Sequence, residues 1–295
     1  SFLTIQEGCN KFCKFCVVPY TRGSEFSRSI NELVDEATQL VDNGSKEITL
    51  LGQNVNAYKY QEKRLSDLIK KISKIKNLKR IRYTTSHPRD FTRDLIDVHK
   101  DCENLMPLIH LPVQSGSNRI LKKMNRKHTI EEYLEIIENL KKIKPNIQFS
   151  SDFIIGYPGE TNDDFEKTLE LMKKVKFINS YSFIFSARPG TPAFNLKKVE
   201  ENLAKERLIT FQNISKKIKT DYREKLLAKT LPVLFENKTK DGNKYFGRDE
   251  HFNSVIVDSI DNLTGKTRNI RITKLNQNTL FGEIDSKLVH KNFAA

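Results

Sequence analysis

Three cysteines fall within eight residues, Cys9-Asn10-Lys11-Phe12-Cys13-Lys14-Phe15-Cys16. Thiolates are the preferred ligands of iron–sulfur clusters. Three on one loop can hold three corners of a four-iron cluster and leave the fourth iron open to a ligand. The Cys13–Cys16 spacing alone would support a redox pair, but Cys9 adds a third thiolate and points to metal. Zinc is the competing metal. Structural zinc sites usually pair two such knuckles or add histidines, whereas here one knuckle stands with an offset cysteine and no neighbouring histidine. The chain has four cysteines in all, too few and too clustered for a secreted disulfide framework. Cys102 stands alone before the fourth expected strand and reads as structural.

The elements that must position this loop alternate along the chain. Strands are expected at Leu3–Gln6, Lys46–Leu51, Arg80–Thr85, Leu108–Val113, Ile147–Ile155 and Tyr181–Phe185. Amphipathic helices are expected at Ile30–Asn43, Leu65–Ile75, Asp94–His99, Asn118–Met124, Ile130–Ile143 and Phe165–Val175. Such alternation argues for βα units on a parallel sheet, and six strands without a seventh or eighth suggest an incomplete barrel. Sites in parallel α/β folds lie at the carboxyl ends of the strands. The cysteine loop, Gly52-Gln53-Asn54, Ser86-His87, Gln114-Ser115 and Gly156-Tyr157 all fall there. His87 and His110 are not nominated as catalysts.

A helix rich in Lys and Glu is expected from about Glu200 to Leu227, as a connector. Five short strands follow, at Leu231–Glu236, Lys244–Arg248, Ser254–Val257, Thr267–Thr273 and Thr279–Ile284, with turns at Asp241-Gly242-Asn243 and Thr264-Gly265-Lys266. They predict a small closed or partly closed barrel, a shape common among oligonucleotide binders. The 51 Lys+Arg outnumber the 37 Asp+Glu, a net charge of +14 that favours a polyanionic partner. In the barrel Lys238, Lys240, Lys244, Arg248 and Arg268 alternate with Tyr245 and Phe246, a mixture suited to phosphate contacts and base stacking. No apolar run approaches the roughly 18 residues of a membrane span, and no signal-peptide pattern is present.

The text around the cysteines carries a resemblance. The loop has an aromatic, Phe15, just before its last cysteine, as in the radical S-adenosylmethionine enzymes. Closer still, EGCNKFCKFCVVPYTRG (Glu7–Gly23), LLGQNVNAY (Leu50–Tyr58), TTSHP (Thr84–Pro88), HLPVQSGS (His110–Ser117), SSDFIIGYPGET (Ser150–Thr161) and FSARPGTPA (Phe185–Ala193) resemble the MiaB-type tRNA methylthiotransferases. The tail from about Leu226 to Val289 resembles the TRAM module, a small RNA-binding β-barrel.

The resemblance implies an α/β fold, a partial (βα)6 radical-SAM barrel over residues 1–225, followed by a small all-β, OB-like TRAM barrel over residues 226–295. It implies a 4Fe-4S cluster on Cys9, Cys13 and Cys16 with S-adenosylmethionine on the open iron. The 5′-deoxyadenosyl radical then takes the hydrogen from C2 of N6-isopentenyladenosine at tRNA position 37, and a methylthio group replaces it. Gly52, Gln53 and Asn54 occupy the segment that holds the methionine end of the cofactor, near Phe15. Gln114 and Ser115 are expected to hydrogen-bond its polar groups, and Arg126 to clasp its carboxylate. Ser151 and Asp152 are placed for the ribose, and Gly156 for close approach of the adenine. The partners implied are tRNA carrying isopentenyladenosine and a flavodoxin- or ferredoxin-type electron donor, for a cytoplasmic monomer. In the family a second, auxiliary 4Fe-4S cluster sits on an N-terminal domain. The chain opens Ser1-Phe2-Leu3-Thr4, so it is expected to be a fragment that lacks that domain and the second half of the chemistry. The alternatives are a paralogous methylthiotransferase, acting on threonylcarbamoyladenosine in tRNA or on a ribosomal protein, and a non-catalytic zinc-bearing RNA-binding protein.

Overall fold

Six short strands run parallel, in chain order, in the computed structural model, which describes residues 1–240 and 242–285. Strands β1 (Phe2–Thr4), β2 (Glu47–Leu51) and β3 (Arg80–Tyr83) form one three-stranded sheet in the order β1-β2-β3. Strands β4 (Leu108–His110), β5 (Gln148–Ile155) and β6 (Asn179–Ile184) form a second, with β5 in the middle. The two meet through Ile81, whose N–H donates to the Asn104 carbonyl at 2.7 Å and whose carbonyl accepts from Met106 at 3.0 Å.

The helices between them are α1 (Ile30–Asp42), α2 (Leu65–Ile72), α3 (Arg93–Asp101), α4 (Asn118–Lys123), α5 (Ile130–Ile143) and α6 (Asn162–Val175). Their starts follow from capping chemistry. Thr129 and Glu132 form a capping box on α5, and Thr161 and Asp164 one on α6. The second box opens α6 at Asn162, three residues before the expected Phe165. Inward faces such as Ile30, Leu33, Ala37 and Val41 of α1 pack on the strands in one apolar core.

Strand β4 ends at His110, short of the expected Val113. Pro112 has no N–H to continue the ladder. The Ser151 hydroxyl on β5 takes over, donating to the Leu111 carbonyl at 2.9 Å and accepting from the Val113 N–H at 3.0 Å. The chain therefore leaves the sheet at Pro112 without abandoning its buried polar groups.

The chain divides into two compact units between Ile218 and Lys219, inside helix α7 (Glu201–Glu224). The second unit is a closed barrel of β7 (Thr230–Lys238), β8 (Lys244–Arg248), β9 (Ser254–Asp258), β10 (Thr267–Leu275) and β11 (Thr279–Ile284), in the order β7-β8-β9-β11-β10. Only the β9–β11 pairing is parallel. Val233, Phe235, Tyr245, Val255, Val257, Ile270, Ile272 and Leu280 fill it. Asp241 of the expected Asp241-Gly242-Asn243 turn, and the tail beyond Asp285 that includes Val289, lie outside the described residues.

Candidate active site

The cysteine loop leaves β1 and is anchored at each end before its side chains are considered. Gly8 has φ +70°, and a Cβ there would lie 2.1 Å from the Ser24 carbonyl oxygen, so only glycine fits. The next residue, Cys9, donates its N–H to the Gly23 carbonyl at 3.1 Å. Gln6 is fully buried and bolts this loop to the one after β2. Its Nε2 donates to the Gly8 carbonyl at 2.7 Å, and its Oε1 accepts from the Asn54 N–H at 3.0 Å. Gln53 adds a second bolt, its Oε1 accepting from the Gly8 N–H at 2.7 Å. Lys11 pairs with Asp90 at 2.8 Å, and Asp90 also accepts from Asn54 Nδ2 at 2.7 Å. At the far end Asn125 Nδ2 donates to the Phe12 carbonyl at 2.9 Å, and Lys14 N–H to the Met124 carbonyl at 3.0 Å. Phe15 packs on Ile120, Met124, Tyr157, Phe185 and Ala193. The loops after β1, β2 and β3 and the turn after α4 are thus one hydrogen-bonded assembly.

All three thiols of the loop are free, Cys13 buried and Cys9 and Cys16 half-buried. Burial pushes the Cys9 thiol up to about 11 and raises Cys16 as well. They are protonated at neutral pH until a metal displaces the protons. Among the described residues, no three His, Cys, Asp or Glu side chains are placed to hold a single ion. Arg126, 6% exposed, directs Nη1 at Cys13 Sγ, 3.6 Å away. Among the described residues, the buried polar atoms without a partner include Asn54 Oδ1, Ser86 Oγ, His87 Nε2, Arg126 Nε and His128 Nε2. All five belong to the loops just tied together. A polar group left bare in a protein interior costs about 1–3 kcal/mol, so such a set fits a site completed by a polar, metal-bearing group.

The remaining expected residues divide. Gln114 is half-buried with φ +78°, its backbone bonded to Asp152 and Ile154. Asp152 lies 3.4 Å from His110 Nε2. Ser151, expected at the ribose, is instead fully buried, and both bonds of its hydroxyl go to the backbone around Pro112. Ser115, expected at the cofactor, is 1% exposed, and its hydroxyl accepts from the Ser117 N–H at 3.2 Å. Gly156 has φ +69°, and the atom a Cβ would meet is Ala204 Cβ at 3.0 Å, so its close approach is to helix α7. Arg126, expected on a carboxylate, faces a cysteine. Sequence reasoning missed Gln6, Asp90, Asn125 and His128. Asp90 lies two residues past the TTSHP segment, and Asn125 precedes Arg126; those neighbourhoods were the available signal.

In the barrel, Lys238, Lys240, Lys244 and Arg268 are exposed. Tyr245 is not available for stacking, because it is 5% exposed and part of the core. Arg248 lies over the Phe246 ring at 5.1 Å and the Phe252 ring at 4.1 Å, and pairs with Glu236 at 3.1 Å.

Residues 3–172 match the Radical SAM superfamily, and the chain belongs to it. Among curated proteins it is 59% identical over 289 residues to a tRNA-2-methylthio-N(6)-dimethylallyladenosine synthase of Pelagibacter ubique (strain HTCC1062), covering 96% of this chain and 65% of that one. A protein of the same name from Agrobacterium fabrum (strain C58 / ATCC 33970) is 48% identical, over 96% of this chain and 64% of its own. The chain thus spans about two thirds of the length of these relatives. Among solved structures it resembles the radical S-adenosylmethionine methyltransferase TsrM from Kitasatospora setae, with cobalamin and a 4Fe-4S cluster bound. The TM-score is 0.56 at 16% identity, over 66% of this chain and 38% of that one. It also resembles coproporphyrinogen III oxidase (HemN) from Escherichia coli, with a TM-score of 0.52 at 14% identity, over 84% and 66%. At such identities the likeness is one of fold, an α/β radical-SAM domain. A 4Fe-4S cluster and S-adenosylmethionine are the cofactors of this class.

Proposed function

We propose that the chain carries the radical-generating and RNA-binding part of a tRNA-2-methylthio-N(6)-dimethylallyladenosine synthase. The observation that carries this reading is the 59% identity over 96% of the chain to a relative of that name, with the cysteine loop intact. Cys9, Cys13 and Cys16 hold the cluster. When bound, the cluster and S-adenosylmethionine supply the radical that takes hydrogen from C2 of the isopentenylated adenine. The chain's own residues do the rest. Gln6 and Gln53 fix the start of the cysteine loop, and Asn125 its far turn. Asn54, Gln114 and Asp152 line the strand ends where the cofactor's polar groups are held. Phe15 and its apolar neighbours close one side against water.

The barrel is read as the RNA-binding TRAM module, with Lys238, Lys240, Lys244 and Arg268 on phosphates and Phe246 as a stacking surface. The electron donor is of the flavodoxin or ferredoxin type, and the site of action is the cytoplasm. No helix among the described residues is long and apolar enough to cross a membrane.

The test is anaerobic reconstitution with iron and sulfide. The expected protein is brown and yields 5′-deoxyadenosine from S-adenosylmethionine under reduction. It also binds isopentenylated tRNA more tightly than unmodified tRNA. Stoichiometric zinc with no nucleoside product would sink the enzyme reading; equal affinity for the two tRNAs would sink the substrate.

A further inference from the structure

We propose that Arg126 tunes the iron–sulfur cluster through Cys13, as a charged hydrogen-bond donor to a ligand sulfur. The inference rests on the reading that Cys9, Cys13 and Cys16 ligate the cluster. Arg126 Nη1 lies 3.6 Å from Cys13 Sγ, and Nη2 donates to the Pro112 carbonyl at 2.5 Å. A bidentate clasp on a carboxylate needs two parallel N–H bonds along one edge of the guanidinium. Here two of its nitrogens are given a sulfur and a carbonyl instead.

The backbone fixes this aim. Arg126 sits between Asn125 and Lys127, both left-handed at φ +60° and +54°. Its N–H is bonded to the Leu121 carbonyl at 3.0 Å, while Asn125 is bonded to the cysteine loop itself. Among the described residues no carboxylate forms an ion pair with Arg126. The rings of His87 and His128 are 5.7 Å apart and both buried.

Reduction of the cluster adds one electron, taken from an external low-potential one-electron donor, and breaks no bond. A buried cation with an N–H directed at a ligand sulfur stabilises the more negative, reduced state and so raises the reduction potential. Arg126 therefore brings the cluster within reach of its donor.

The experiment is an EPR-monitored redox titration with dithionite, without S-adenosylmethionine, on anaerobically reconstituted wild type, Arg126→Gln and Arg126→Lys. The expected result is equal iron and sulfide per chain, a midpoint shifted to more negative potential in Arg126→Gln, and a smaller shift in Arg126→Lys. Identical midpoints in all three, with S-adenosylmethionine binding weakened tenfold or more in Arg126→Gln, would overturn the proposal and return the residue to the cofactor's carboxylate. If Arg126→Gln assembles no cluster, Arg126→Lys decides: a shifted midpoint supports the proposal and a wild-type midpoint overturns it. Failure of the underlying reading looks different, since Cys13→Ser would then hold as much iron and sulfide as the wild type.

Discussion

Two regions at the strand ends of the first unit, the turn Gly156–Asp164 and the loops around Cys9–Cys16, are both tightly anchored and finished differently. Around the turn Gly156–Asp164, the buried acids are fully engaged. Asp164 accepts from Ser117 Oγ at 2.6 Å, from the Thr161 N–H at 2.8 Å and from Arg119. Glu160 accepts from the Gly156 N–H at 3.1 Å and pairs with buried Arg207 at 2.8 Å. The loops around Cys9–Cys16 are equally well anchored in backbone, yet Arg126, His87, His128, Asn54 and Ser86 each keep a buried polar atom without a partner. The first region is a finished framework; the second is a cradle that keeps several buried polar atoms without a protein partner.

The largest effect that tests this contrast falls in the cradle. Cys13→Ser should reduce iron and sulfide per chain and 5′-deoxyadenosine yield to background, while the unloaded protein unfolds within about 1 kcal/mol of wild type. A Cys13→Ser protein that keeps its cluster would erase the distinction. The framework should respond in the opposite sense. Glu160→Ala leaves the Arg207 guanidinium buried and unpaired, and should cost about 3–5 kcal/mol in urea denaturation while iron per folded chain is unchanged. Replacing both partners by apolar residues of similar volume should restore much of that loss, because the penalty lies in the bare charge.

Much of the framework is legible from residue patterns, and less of the cradle. Thr161 with Asp164, and Thr129 with Glu132, are local signals of where α6 and α5 begin, although the apolar pattern alone put the start of α6 at Phe165. The chain succession of parallel strands likewise follows from alternating apolar runs. The early end of β4 was hidden because it depends on Ser151, a residue forty positions away from Leu111, supplying bonds that Pro112 cannot. Arg126 was readable as a site residue, but its partner Cys13 lies 113 positions earlier. Gln6 carries no sequence signal of its role: its position in an apolar stretch gives no hint that its amide joins two loops. Long-range partners of single polar side chains are what tertiary structure adds.

A smaller effect is set by pH and belongs to the framework side. Burial, with a lesser push from the Lys144 ammonium, holds His99 down at about 3, from an ordinary value of 6.5. Below 6.5 the unfolded chain binds a proton that the folded chain refuses. Stability is therefore complete above pH 6.5 and falls as pH drops toward 3, by about 1.4 kcal/mol per pH unit for this residue. His128, lowered to about 4, acts in the same sense. Burial lowers His87 in the same direction. Urea midpoints at pH 7 and pH 5 should show the loss, and His99→Gln should reduce it by about a third, one of three such histidines; an unchanged pH dependence in that variant would remove His99 from the account.

The smallest effect draws the line between the two regions most finely, because Ser151 stands in a segment expected to touch cofactor but is built as framework. Its hydroxyl bridges the Leu111 carbonyl and the Val113 N–H, and nothing of the side chain is exposed. Ser151→Ala leaves the Val113 N–H buried and bare, while the Leu111 carbonyl keeps its bond from Tyr133 Oη at 2.9 Å, so the cost is about 1–3 kcal/mol for the one orphaned group. Since the residue offers no atom to a ligand, S-adenosylmethionine should bind the reconstituted variant within about twofold of wild type, the allowance expected for indirect effects of so small a change. Asp152, the neighbour on the opposite face of β5, provides the contrast. Asp152→Asn should weaken S-adenosylmethionine binding while leaving the urea midpoint near wild type, because its carboxylate is only half-buried. If the two variants exchange these phenotypes, the face of β5 that meets the cofactor has been assigned the wrong way round.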